Sequence, residues 1–258
     1  MKRQTEGFFL ALAALVVTAT ACHGVETQLS GDLPGSPSDA QKRWKELNAR
    51  AVGLYQHERY GEAVLIAEEA LAAAEAGFGL DHPNAAVSLN TVGLLYKSMG
   101  KFDKAEPYYK RSLAILEKAR GPEHLDVATS LNNIAVLHLQ QGRYGDAETL
   151  LKRSLNIREK IIGPDLLEMA GCLNNLASVY NVEGKYSEAE SMFIQALVIR
   201  EAALKAGHPD LAESLNNVAS LYHSQGRYTE AEPLYKRALA ITQKAFGAYN
   251  RREAKALN

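Results

Sequence analysis

A chain of 258 residues with 29 Lys and Arg against 30 Asp and Glu, net charge −1, lacks the basic footprint of a nucleic-acid binder. Its two cysteines are too few for a disulfide framework. The length allows one or two domains.

Lys2 and Arg3 precede an apolar run from Phe8 to Val17, and small residues Thr18 to Ala21 lead to Cys22. That order reads as a secretory signal over residues 1–21. The run is shorter than the ~20 apolar residues of a membrane span. Ala19-Thr20-Ala21-Cys22 resembles a bacterial lipobox, although Leu is commoner than Ala at its first place and Glu6 is unusual in a basic leader. The resemblance implies lipidation of Cys22 and a membrane-anchored protein facing the periplasm. Cleavage by the ordinary signal peptidase would instead release a soluble periplasmic or secreted product. From His23 to Ala40 the composition turns to Gly, Ser, Pro, Asp and Thr. Such a stretch buries too little to offset its chain entropy, so residues 22–41 are expected to be a flexible tether.

Beyond it the sequence repeats. Ser130-Leu131-Asn132-Asn133-Ile134-Ala135 returns as Ser88-Leu89-Asn90-Thr91-Val92-Gly93, Cys172-Leu173-Asn174-Asn175-Leu176-Ala177 and Ser214-Leu215-Asn216-Asn217-Val218-Ala219, always 42 residues apart. A fainter copy is Glu46-Leu47-Asn48-Ala49-Arg50-Ala51. A fixed step without insertions predicts repeats that bury each other's apolar faces. They are 42–83, 84–125, 126–167, 168–209 and 210–251. Ala254 to Asn258 matches Ala212 to Asn216, so 252–258 reads as a begun sixth repeat or cap.

Each repeat reads as helix–turn–helix. In the third, Leu131, Ile134, Ala135, His138 and Leu139 share one helical face, and Gly142 ends the helix in the place of Gly100, Gly184 and Gly226. Ala147, Leu150, Leu151, Ser154, Leu155 and Ile157 then stripe a second helix, which Gly163 closes in the place of Gly79, Gly121 and Gly247. Ala63, Ala105, Ala147, Ala189 and Ala231 form one small-residue column, and Ala51, Gly93, Ala135, Ala177 and Ala219 another. These predict close helix crossings. Asn84, Asp126 and Asp210 are expected to cap first helices, Asp210 with Glu213 having capping-box spacing. Pro107 and Pro233 are expected in the first turn of second helices. The first repeat is eroded, with Arg50 in an apolar column and Glu58 where the others have Gly; Trp44 there reads as a packed end residue. Cys172, in a Ser column, reads as a small buried residue.

Leu173, Leu176, Ala177, Tyr180, Ala189 and Phe193 fall at the spacings of the tetratricopeptide signature, as do Leu215, Val218, Ala219, Tyr222, Ala231 and Tyr235. The chain therefore resembles the tetratricopeptide family over 42–251. The long step and the phrase L-N-N-hydrophobic-A look like the repeats of kinesin light chains and their bacterial relatives. Leu replaces the family's Trp throughout, and Glu75, Glu117, Glu159, Glu201 and Gln243 stand in its Pro column. Without that Pro the second helix is expected to run longer. A 42-residue step also fits HEAT and armadillo repeats, but the Ala/Gly/Tyr spacing does not.

The resemblance implies an all-α, right-handed α-solenoid whose first helices line a concave groove. It places Asn48, Asn90, Asn132, Asn174 and Asn216 on that groove, with Asn133, Asn175, Asn217, Lys97 and Asn181 beside them. An amide both donates and accepts, so such a ladder could hold the backbone of an extended protein or peptide. Alternatively each Asn bonds the adjacent repeat. His82, His124 and His208 lie in equivalent loops 42 or 84 residues apart, too far to converge on a metal. No cofactor, metal or catalytic set is expected. The reading is a non-enzymatic binding scaffold of the bacterial envelope; the alternative is a self-assembling part of an envelope machine, such as a pilus or outer-membrane complex.

Overall fold

The computed structural model describes residues 36–161 and 166–246. The signal over 1–21, Cys22, the tether before Ser36, Gly163, Gly247 and the cap at 252–258 lie outside them. Among the described residues there are ten α-helices and no strand, the all-α repeat solenoid expected. They are α1 (Pro37–Gln56), α2 (Tyr60–Phe78), α3 (Pro83–Ser98), α4 (Phe102–Arg120), α5 (Leu125–Gln140), α6 (Tyr144–Lys160), α7 (Leu166–Val182), α8 (Tyr186–Ala203), α9 (Pro209–Ser224) and α10 (Tyr228–Phe246). The chain divides into two units that meet inside α5, after Leu137. In the first, α1 packs on α2, α2 on α3 and α3 on α4. In the second, α6 packs on α7, α7 on α8, α8 on α9 and α9 on α10. With 16 and 19 residues, α3 and α4 alone exceed the family's ~34-residue step.

Both small-residue columns are buried, as the crossings require. Gly93 shows why: a Cβ there would lie 2.8 Å from Cε1 of Tyr109, whose ring fills the space. The turn glycines also behave as expected, Gly100, Gly142, Gly184 and Gly226 having φ between 71° and 77°.

Three expectations are corrected. Helix α1 begins at Pro37 instead of near Lys42, because Ser36 caps it: Oγ accepts the Asp39 N–H at 3.2 Å, and Pro37 suits the first helical position. Gln41 Nε2 then donates to the Gly77 carbonyl at 2.8 Å, tying the first turns to α2. Second, Pro107 and Pro233 fall one turn further inside α4 and α10 than expected. Both are exposed, so the carbonyl each leaves without its N–H faces water. The helices start earlier, at Phe102 and at Tyr228. Third, the first helices α3 and α9 are capped by His82 and His208, not by Asn84 and Asp210. His124 bonds the Asp126 N–H in the same way at α5.

Glu58 adopts φ 58° where the later repeats have Gly. A side chain in that left-handed region costs about 1–2 kcal/mol, partly offset by the chain entropy glycine would lose. Glu58→Gly should stabilise the protein by about 0.5–1 kcal/mol, measured as a higher urea midpoint; an unchanged or lower midpoint would show that the turn carries no strain.

Candidate peptide-binding face

The residue after the leucine of the repeated phrase lies one step around each first helix from the core. Leu89, Leu131, Leu173 and Leu215 are buried in it, and the following asparagines sit at its edge. Asn48, Asn132 and Asn174 are buried, whereas Asn90 and Asn216 are half-buried. Asn90 Nδ2 donates to Ser130 Oγ, and Asn174 Nδ2 to Ser214 Oγ, both at 3.4 Å. These are long for N–H···O bonds and correspondingly weak. Each nevertheless reaches forward to the serine that precedes the next repeat's leucine.

That serine column was in plain view in the repeated phrase, but its role was missed. Ser88, Ser130 and Ser214 are fully buried and act as acceptors between successive first helices. Trp44 donates its indole N–H to Ser88 Oγ at 2.8 Å and is itself buried, as its packing role required. Cys172 takes the column's place in the fourth repeat, fully buried, its thiol donating to the Leu151 carbonyl at 3.4 Å.

The asparagine carbonyls differ from the amino groups. Oδ1 of Asn48, Asn90, Asn174 and Asn216 is buried and accepts no hydrogen bond. A buried acceptor without a donor costs about 1–3 kcal/mol. Asn217 Nδ2 is likewise buried and unmatched. Asn133 is buried, while Asn175 and Asn181 are half-buried. Around them the first unit presents Val52, Leu94 and Val136, and the second presents Ser178, Ser220 and His223, all exposed or half-buried.

Lys97 is not on an open face: it is only 4% exposed. Burial disfavours its charged form and lowers its pKa from 10.5 to about 8. Nothing in the column marks this lysine as buried, since its other members are Tyr55, Leu139, Asn181 and His223.

Three further ties join repeats. Tyr96 Oη donates to Glu68 at 2.8 Å, and that carboxylate pushes the phenol up to about 12. Tyr222 Oη donates to Glu190 at 2.9 Å beneath the Arg227 guanidinium, which lies 3.9 Å from the ring centroid. Arg227 Nη1 bonds Glu190 at 2.8 Å and holds that carboxyl below its ordinary range. Arg200, 3% exposed, clamps α8 to α9: its Nη1 donates to Ser214 Oγ at 2.8 Å and the Asp210 carbonyl at 3.0 Å, with Glu213 at 3.4 Å. His82, His124 and His208 each serve a different helix start. Among the described residues no cluster of His, Cys, Asp and Glu could hold a metal, and no helix is long and apolar enough to cross a membrane.

The tetratricopeptide repeat family model matches residues 46–118, 93–160 and 168–258. Among solved structures, kinesin light chain TPR-like repeats of Podosopora anserina superpose with TM-score 0.63 at 23% identity, over 82% of this chain and 98% of theirs. BtubC (BKLC) from P. vanneervenii gives 0.59 at 22%, over 86% and 95%. PilF of Pseudomonas aeruginosa gives 0.57 at 18%, over 85% and 82%. At these identities the likeness is one of fold. No curated protein sequence matches the chain.

The buried lysine makes stability pH-dependent. Between about 8 and 10.5 the unfolded chain holds a proton that folded Lys97 has lost, so stability rises with pH across that window. Lys97→Met should remove this part of the rise, measured as the difference in urea midpoint between about pH 7 and about pH 9.5. Equal differences in variant and wild type would place the ammonium in water.

Proposed function

Because the chain belongs to the tetratricopeptide repeat family, whose members are generally non-enzymatic protein-interaction scaffolds, we propose that it binds an extended protein or peptide segment along its first helices and performs no chemistry. The observation that carries this reading is the recurrence of asparagine carbonyls with no donor. Asn is worse than Ala in a helix by several tenths of a kcal/mol, and the 3.4 Å bonds to serine return little. A column whose carbonyl is unmatched at Asn48, Asn90, Asn174 and Asn216 is accounted for by a ligand that completes it. A peptide backbone supplies N–H and C=O groups in series, the pair of functions an amide can match. The carbonyls are now covered, so binding includes rotation of these side chains.

The test begins with a random peptide library displayed on phage and selected on the purified protein. Calorimetry of the selected peptide should show Asn48→Ala/Asn90→Ala losing about 1–3 kcal/mol of affinity, with melting nearly unchanged. Unchanged affinity with a lower melting temperature would assign the column to holding the repeats together and overturn the reading.

We further propose that the protein is exported and lipid-anchored at Cys22, on the basic, apolar and small-residue order of residues 1–21. Two acyl chains suffice for stable attachment where one is marginal. Cys22→Ser should move the protein from the membrane pellet to the soluble fraction; a wild-type mature protein with the mass of an unmodified Cys22 would exclude the anchor.

A further inference from the structure

Three first helices open on a histidine. Nδ1 of His82, His124 and His208 accepts the backbone N–H two residues ahead, from Asn84 at 3.1 Å, Asp126 at 3.1 Å and Asp210 at 3.2 Å. A ring nitrogen that accepts carries no proton, so each cap exists only in the neutral imidazole. Histidine is the side chain whose charge ordinarily changes between about pH 5 and 8. A helix N-terminus, moreover, repels a cation.

The junctions differ in what an added proton would meet. His208 Nδ1 lies 3.6 Å from Asp210 Oδ1, and His124 Nδ1 lies 3.4 Å from Asp126 Oδ2. A protonated ring there exchanges a lost N–H partner for a carboxylate. Around His208 the other charges are Arg200 of α8, engaged with Asp210 and Glu213, and Lys244 of α10, whose chain passes Gly207. Arg120 of α4 stands 3.7 Å from Asp126 beside His124.

His82 has Asn84 in place of the aspartate. Asp81 on its own loop is engaged by Lys118 of α4 at 2.5 Å, and Glu75 of α2 by Arg111 of α4 at 2.7 Å. On the His82 ring face stands Phe78 of α2, with Trp44 of α1 behind it. The imidazole stacks on Phe78 with centroids 5.0 Å apart and planes at 20°. Phe78 meets Trp44 edge-on at 5.3 Å. Trp44 in turn bonds Ser88 in the second turn of α3. His82, Phe78, Trp44 and Ser88 thus close a ring across α1, α2 and α3.

We propose that His82 is an acid-sensitive latch at the first inter-repeat junction. Protonation releases the cap of α3, places a cation at that helix start with no free carboxylate to receive it, and loosens the seat of Trp44. The His208 junction instead offers an added proton the Asp210 carboxylate.

Trp44 is the chain's only tryptophan, so its emission reports on the latch in the full-length protein. Titrated from about pH 8 to about pH 5, wild type should show one transition in Trp44 emission. Over the same range, exchange of the Asn84 amide, corrected for intrinsic pH dependence, should rise about ten-fold, the loss of a typical cap. His82→Ser and His82→Asn keep a side-chain acceptor that does not titrate in this range, and both should abolish the transition; the second serves if the first does not fold. His208→Ser should leave it in place. A transition that persists in the His82 variants overturns the proposal, as do wild-type emission and Asn84 exchange that do not change with pH.

Discussion

Everything in this fold depends on how closely two helices of one repeat can approach. At the crossing there is room for a methyl group or less, and the chain meets that limit with Ala63, Ala105, Ala147, Ala189 and Ala231 on one helix and Ala51, Gly93, Ala135, Ala177 and Ala219 on the other. Interiors are packed as densely as organic crystals, so a crossing this tight sets the position of every larger side chain around it. The Tyr109 ring takes the space a Cβ at Gly93 would need because of it. The leucines of the repeated phrase are then carried into the core, and the asparagines after them to its margin, by the helical period alone.

This constraint is also why so much was legible in the sequence. A crossing that admits only small residues writes an Ala or Gly at a fixed step, and a turn that needs positive φ writes a Gly. Both signals are local and survive in a single chain. The features that escaped depend on partners brought together by folding. His82 and Asn84 are equally plausible caps on paper; the backbone places the imidazole, not the amide, over the free N–H. Lys97 gives no sequence sign of burial, since an exposed lysine in that column would be spelled the same way. The start of α1 was hidden for another reason: Ser36-Pro37 has the composition of a linker and the geometry of a helix cap.

The face read as a binding surface was legible only as a column. Its residues are where the period put them, but the direction of each amide was not predictable. The amino groups of Asn90 and Asn174 lean on the next repeat while four carbonyls of the column accept nothing. At Asn90 and Asn174 the two ends of one amide thus differ, the amino end bonded and the carbonyl end unmatched.

The Arg200 clamp has a consequence for how such an array can change length. Repeat proteins gain and lose units by recombination between near-identical segments, and a uniform 42-residue step with no insertions invites it. Yet the column of Arg200 holds Ala74, Leu116 and Thr242 in three of the other repeats and Arg158 in one, so not every second helix can make this clamp. A deletion joining the fourth helix, with Leu116, directly to α9 would set an aliphatic chain against Ser214, the Asp210 carbonyl and Glu213, all of which are matched to a guanidinium. The polar groups left behind would be buried without a partner. The start of α9 is therefore matched to a second helix that carries an arginine in this column, which α4 lacks.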